Sequence, residues 1–204
     1  MISTDGKESW IVHEEKYWLS HHQIRPGDNL TIMYCHMAPS DKIDAEIWLV
    51  DSDGSSARTP RPQTGGEEII HEYWLADGSK IAYVHYPRAQ TWHDKMSLAT
   101  IHFLDFGTMR EEIHMSCPGC SHFSSNKDNS TIVRDSQTDP FIRLVDVRAK
   151  KDVPLCRHDT SWKSYGEDSQ ASHPHASFSP DTSRVVFSSD KDGPPAVYLV
   201  GNPG

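Results

Sequence analysis

Cysteine, basic charge, long apolar runs and helical periodicity are all scarce in this chain, and each scarcity removes a class of protein. Four cysteines in 204 residues (Cys35, Cys117, Cys120 and Cys156) are too few to staple a secreted scaffold, so they read as reduced thiols. Twenty Lys and Arg stand against 29 Asp and Glu, a formal charge of −9, which argues against nucleic acid or an anionic membrane as partner. No apolar run approaches the roughly 18 residues that span a bilayer. The first ten residues, Met1 to Trp10, lack the apolar core of a signal peptide, and the expectation is a cytoplasmic protein. Amphipathic helical periodicity is rare, which leaves strands to build the fold. The 36% of hydrophobic residues is enough for a packed core.

What is present is a series of short runs rich in β-branched and aromatic residues: Leu30 to Tyr34, Glu46 to Val50, Lys80 to His85, Ile142 to Val147, Arg184 to Ser188 and Ala196 to Val200. Turn chemistry separates them, at Asp51 to Gly54, Ala76 to Ser79, Asn126 to Asn129 and Ser179 to Thr182, with residues that favour tight or left-handed backbone. A histidine leads each unit. His22, His71, His122 and His173 recur at intervals of 49, 51 and 51 residues, a period that signals a propeller or solenoid. The expected architecture is all-β, about four β-propeller blades over 20–69, 70–119, 120–169 and 170–204, preceded by an N-terminal segment over 1–19. The innermost strand of a blade lines the central channel, so equivalent positions converge on the axis.

Gln170-Ala171-Ser172-His173-Pro174-His175 carries the strongest chemical signal. Alternate residues on a strand share a face about 7 Å apart, so His173 and His175 present two imidazoles to one metal ion. The repeat adds His122 as a third. An amide oxygen from Gln170 would tilt the preference of a nitrogen site toward a harder ion such as Mn²⁺. Other candidates read as structure. Cys117-Pro118-Gly119-Cys120 lacks a second pair, the acidic pairs Glu14-Glu15, Glu67-Glu68 and Glu111-Glu112 read as solvated faces, and Ser161 has no nucleophile elbow around it.

These residues carry a resemblance. His71-Glu72-Tyr73-Trp74, Asp77 to Val84, Cys120 to Phe123, Arg157 to Trp162 and Gln170 to Phe178 are similar to oligogalacturonate lyase from about Ser20 to the C-terminus. The resemblance implies a seven-bladed propeller in which His122, Gln170, His173 and His175 hold a manganese-type ion. It further implies β-elimination from an acidic oligosaccharide, with His71 taking the C5 proton of a galacturonate. The family's pattern places an arginine before the Ile47-Trp48-Leu49-Val50 strand, where this chain has Glu46. Arg25 and Arg58 are the substitutes for that charge. Four blades cannot close a ring of seven, so open sheet edges and self-association are expected. The rival reading is a non-catalytic or degenerate propeller that binds metal or, like TolB, a protein partner.

Overall fold

The computed structural model describes residues 1–3, 5–37, 42–162 and 172–203; Gln170 lies outside them. Strands fill it, in four antiparallel sheets that follow one another along the chain. The first holds β1 (Leu19–Ile24), β2 (Thr31–His36) and β3 (Ile47–Asp51). The second holds β4 (Glu68–Trp74), β5 (Lys80–Tyr86), β6 (Thr100–Asp105) and β7 (Glu111–Ser116), with one short helix, α1 (Trp92–Ser97), between β5 and β6. The third holds β8 (Cys120–Ser125), β9 (Thr131–Ser136), β10 (Phe141–Asp146) and β11 (Lys151–Arg157), and the fourth β12 (Ser177–Phe178), β13 (Arg184–Ser189) and β14 (Ala196–Gly201). Each sheet is a blade. The first strands β1, β4, β8 and β12 lie against one another in succession, which is the inner wall of a propeller.

The hairpins that open the blades share one device. Asp28, Asp77, Asp128 and Asp181 each accept a hydrogen bond from the backbone N–H two residues on, at 2.8, 3.0, 3.1 and 3.1 Å. Such a turn satisfies a backbone donor while reversing the chain. The turn at Asp51 to Gly54 is a different one, following β3; the hairpin turn of the first blade is instead at Pro26 to Asn29. Gly78 (φ +67°) cannot be replaced there, because a Cβ would lie 2.2 Å from the carbonyl oxygen of Pro26. The hairpins of the first two blades therefore touch backbone to side-chain position.

Alternation along the strands puts apolar residues between the blades, where three clusters form. Met33, Ile47 and Leu49 meet Ile69, Ile81 and Leu104; Val84, Tyr86 and Ile101 meet Cys117, Cys120 and Ile132; Val133, Ile142 and Leu144 meet Ala176, Val185 and Phe187. Truncating one of these buried aliphatic side chains to Ala costs about 2–5 kcal/mol. The fourth sheet leaves its other face open, with Val197 72% and Leu199 61% exposed. Residues before β1 cover the outer face of the first blade, where the Glu15 carboxylate accepts from Tyr34 and contacts His13 and His36.

Candidate metal centre and catalytic cleft

Three of the innermost strands carry the same irregularity. In β1, β4 and β8 the pairing jumps from Ser20, Ile70 and Cys120 to Gln23, Tyr73 and Phe123, leaving two residues opposite one. This β-bulge bends the strand and re-aims its side chains. The bulged pairs are His21-His22, His71-Glu72 and Ser121-His122, so the residue equivalent to His71 in the first blade is His21 and not His22. Both adopt left-handed backbone, φ 51° and 56°. The leading histidines are therefore one register out of phase with the blades.

In the third blade the residue facing the bulge is Asp135. Its buried carboxylate accepts from the His122 backbone N–H at 2.8 Å, contacts His122 Nδ1 at 2.7 Å, and accepts from the His175 N–H at 3.2 Å. With Nδ1 held there, His122 turns Nε2 toward the cleft, the arrangement by which a carboxylate orients a metal-binding imidazole. His173 and His175 approach from the segment before β12. The ligand nitrogens of His122, His173 and His175 all lie within 4.8 Å of one another. Trp162 stacks parallel to His122, ring centroids 5.9 Å apart, and contacts His173 at 5.1 Å. Trp162 and His175 also have positive φ, 53° and 44°, strain of a kind that collects at functional sites.

His71 sits beside this cluster, its ring 4.3 Å from that of His122 and 6.1 Å from that of His175. Burial and then the neighbouring imidazoles push it down to about 2. Burial and His122 hold His175 at about 4, and burial also lowers His173. The imidazoles are thus neutral, the form that a metal ion requires. Around them opens a cleft of about 530 Å³, lined among others by His21, His71, Glu72, His122 and His175.

The structure thus gathers His71, His122, His173 and His175, four of the expected site residues. Arg25 is not among them. Its guanidinium donates to the Gly78 carbonyl at 2.8 Å, pairs with Asp28 and lies 4.1 Å over the Phe106 ring, so it fastens the hairpins of two blades. Arg58 is likewise occupied, with Asp51 at 3.4 Å. Glu46 is part-buried and does not line the cleft. Burial and the nearby Glu72 carboxylate push it up to about 8. The acidic pairs also differ from solvated faces: one member of each is tied into a polar network, Glu15 with His13 and His36, Glu67 with Arg61 and His85, Glu111 with His102. Cys117 and Cys120 are buried free thiols in a blade interface.

The family model described as oligogalacturonate lyase matches residues 1–204. The chain belongs to the oligogalacturonate lyase family. It is 34% identical to the oligogalacturonide lyase of Pectobacterium atrosepticum and to the oligogalacturonate lyase of Dickeya dadantii, in each case over 96% of this chain and 53% of the relative. A solved oligogalacturonate lyase in complex with manganese superposes with a TM-score of 0.87 at 36% identity, over 99% of this chain and 53% of that one. The oligogalacturonate lyase of Vibrio parahaemolyticus gives 0.86 at 38%, over 99% and 54%. TolB from Acinetobacter baumannii, at 0.65 and 21% identity over 88% and 41%, shares the fold. The chain spans about half the length of the lyases it matches. Within this family framework, Asp135 and Trp162 are the site residues that the sequence did not single out. Trp162 ends the Arg157 to Trp162 motif without a ligand atom of its own, and Asp135 becomes visible only when β9 is registered against the β8 bulge.

Proposed function

We propose that this chain carries the catalytic cleft of a metal-dependent lyase that cleaves short, unsaturated oligogalacturonides by β-elimination in cytoplasmic pectin breakdown. The observation that carries the reading is a neutral imidazole, His71, packed against a three-histidine cluster whose lead member is oriented by Asp135. Three imidazoles fit a divalent transition ion. Manganese, when bound there with Gln170 as a further ligand, supplies a Lewis acid for the uronate carboxylate and the charge that grows on it.

His71 then does the proton chemistry. The C5–H bond breaks toward its free ring nitrogen, the electron pair becomes the C4–C5 double bond, and the C4–O bond breaks to release the glycosidic oxygen, which leaves as the alcohol after taking a proton. The depressed affinity of His71 for protons keeps it in the free-base form at neutral pH. An anionic substrate entering the cleft adds negative charge beside it and raises its basicity. Asp135 holds the geometry throughout, since a buried charge accepting three hydrogen bonds has no alternative partner to turn to.

His71→Ala is expected to lower turnover by about 10²–10⁴-fold with metal content unchanged, read as formation of the conjugated double bond and, for an unsaturated disaccharide, as keto-acid product. Absence of product from the manganese-loaded wild type would remove the enzymatic reading. One observation favours the non-catalytic, metal-binding alternative: the part-buried carboxyl of Glu46 supplies no positive charge for a substrate. That alternative predicts full metal binding with no product. No helix among the described residues is long and apolar enough to cross a membrane, and the −9 charge disfavours nucleic acid as a partner. The open face of the fourth sheet is where chains would self-associate.

A further inference from the structure

On the first-blade side of the cleft a second cluster stands apart from the three histidines. His21 Nδ1 lies 2.8 Å from Glu72 Oε1, and the Cys35 thiol donates to the same oxygen. The imidazole nitrogen, the sulfur and the carboxylate oxygen all lie within 4.8 Å of one another. The Glu72 side chain is fully buried, at 0% exposure, yet its second oxygen, Oε2, has no hydrogen-bond partner. A buried acceptor left unpaired is destabilising, and more so when it is charged. No lysine or arginine among the described residues pairs with any member of the cluster. Glu46 adds a further carboxyl at its border: the Glu72 hydrogen bond and, less strongly, Glu46 raise the proton affinity of His21, while burial and then Glu72 raise that of Glu46. The pocket thus gathers a nitrogen, a sulfur and a carboxylate donor around one unpartnered oxygen.

We propose that His21, Cys35 and Glu72 form a second metal site, for a thiolate-accepting ion of the zinc type. Imidazole nitrogen, thiolate sulfur and carboxylate oxygen are the three donor types that zinc takes, whereas the histidine cluster across the cleft offers no sulfur. His21 is half-exposed, at 48% of its side chain, and lines the cleft, so an ion enters past it to the buried thiol and carboxylate behind. Binding breaks the Cys35 S–H bond and forms a metal–sulfur bond, with the proton released to solvent. Affinity therefore rises with pH.

Cobalt(II) added alone to the full chain tests this, because a thiolate ligand produces a near-ultraviolet sulfur-to-cobalt charge-transfer band that imidazole and carboxylate ligands do not. The expected result is a saturable band that disappears in Cys35→Ser and persists in His173→Ala. His21→Ala changes a half-exposed position, its fold is checked by circular dichroism, and it should weaken cobalt binding at the thiolate by at least about tenfold. No band in the wild type, a band that survives Cys35→Ser, or a titration unaltered by His21→Ala overturns the proposal. The lyase reading is unaffected by those outcomes, since it rests on His71 and the three histidines of the other site.

Discussion

Asp135 joins more of the site than any residue that is expected to touch metal or substrate. Its two oxygens hold the backbone and ring of His122 and the backbone of His175, so the imidazoles of two blades are positioned from one carboxylate. Asp135→Asn keeps the shape but replaces a carboxyl acceptor with an amide, and weakening the group that orients a ligand imidazole lowers metal affinity by about 10–100-fold. Isothermal titration with manganese checks it; unchanged affinity would mean that backbone packing alone sets the ring. His173→Ala removes one of the proposed ligands, and metal content should fall well below that of wild type by elemental analysis. The two residues differ in legibility for a physical reason. His173 and His175 are two apart on an extended segment, so their common face is visible from spacing. Asp135 acts through cross-strand register, which no local pattern in the sequence states. Glu46 was legible as a departure from the family's arginine, but its burial beside Glu72 was not.

At the scale of elements, the strands were readable because alternation of β-branched and polar residues repeats around turn residues, and the runs ending at Tyr34, Val50, His85 and Val147 fall on β2, β3, β5 and β10. The phase of the repeat was not, since a two-residue bulge shifts the side chains of β1, β4 and β8 without altering the count of histidines. Connections between elements hold similar surprises. Glu67, just before β4, accepts from Arg61 at 2.7 and 3.0 Å and from the Thr64 hydroxyl at 3.1 Å, with His85 of β5 at 2.8 Å. Burial alone would raise its proton affinity, but the Arg61 guanidinium and the Thr64 and His85 donors outweigh it and hold the carboxyl at about 2. Such a depressed carboxyl contributes stability above its unfolded value of about 4.5 and loses it as pH falls toward 2. Glu67→Gln should therefore cost about 1–3 kcal/mol at neutral pH. The gap between mutant and wild type should close between about pH 4.5 and pH 2 in denaturant titrations. A gap that is constant over that range would assign the effect to packing.

Over the whole molecule, apolar contact and charge act at different ranges. Each blade buries its face against the next, through clusters that join successive sheets, and this fixes how far apart the histidines of different blades stand at the inner wall. The charge of −9 acts further out, and it has the same sign as an oligogalacturonide. Long-range repulsion slows encounter with such a substrate, while contacts inside the cleft are too short-ranged to be screened. Salt shortens the reach of the repulsion, from a Debye length of about 30 Å at about 0.01 M to about 10 Å at about 0.1 M. Raising the ionic strength across that interval should therefore raise kcat/KM for an oligogalacturonide, with kcat unchanged because the bound complex no longer senses the distant charges. Association with a cation runs the other way, and the on-rate of manganese should fall over the same interval. A kcat/KM that falls with salt would mean that the local field of the loaded cleft governs encounter and that the acidic surface faces elsewhere.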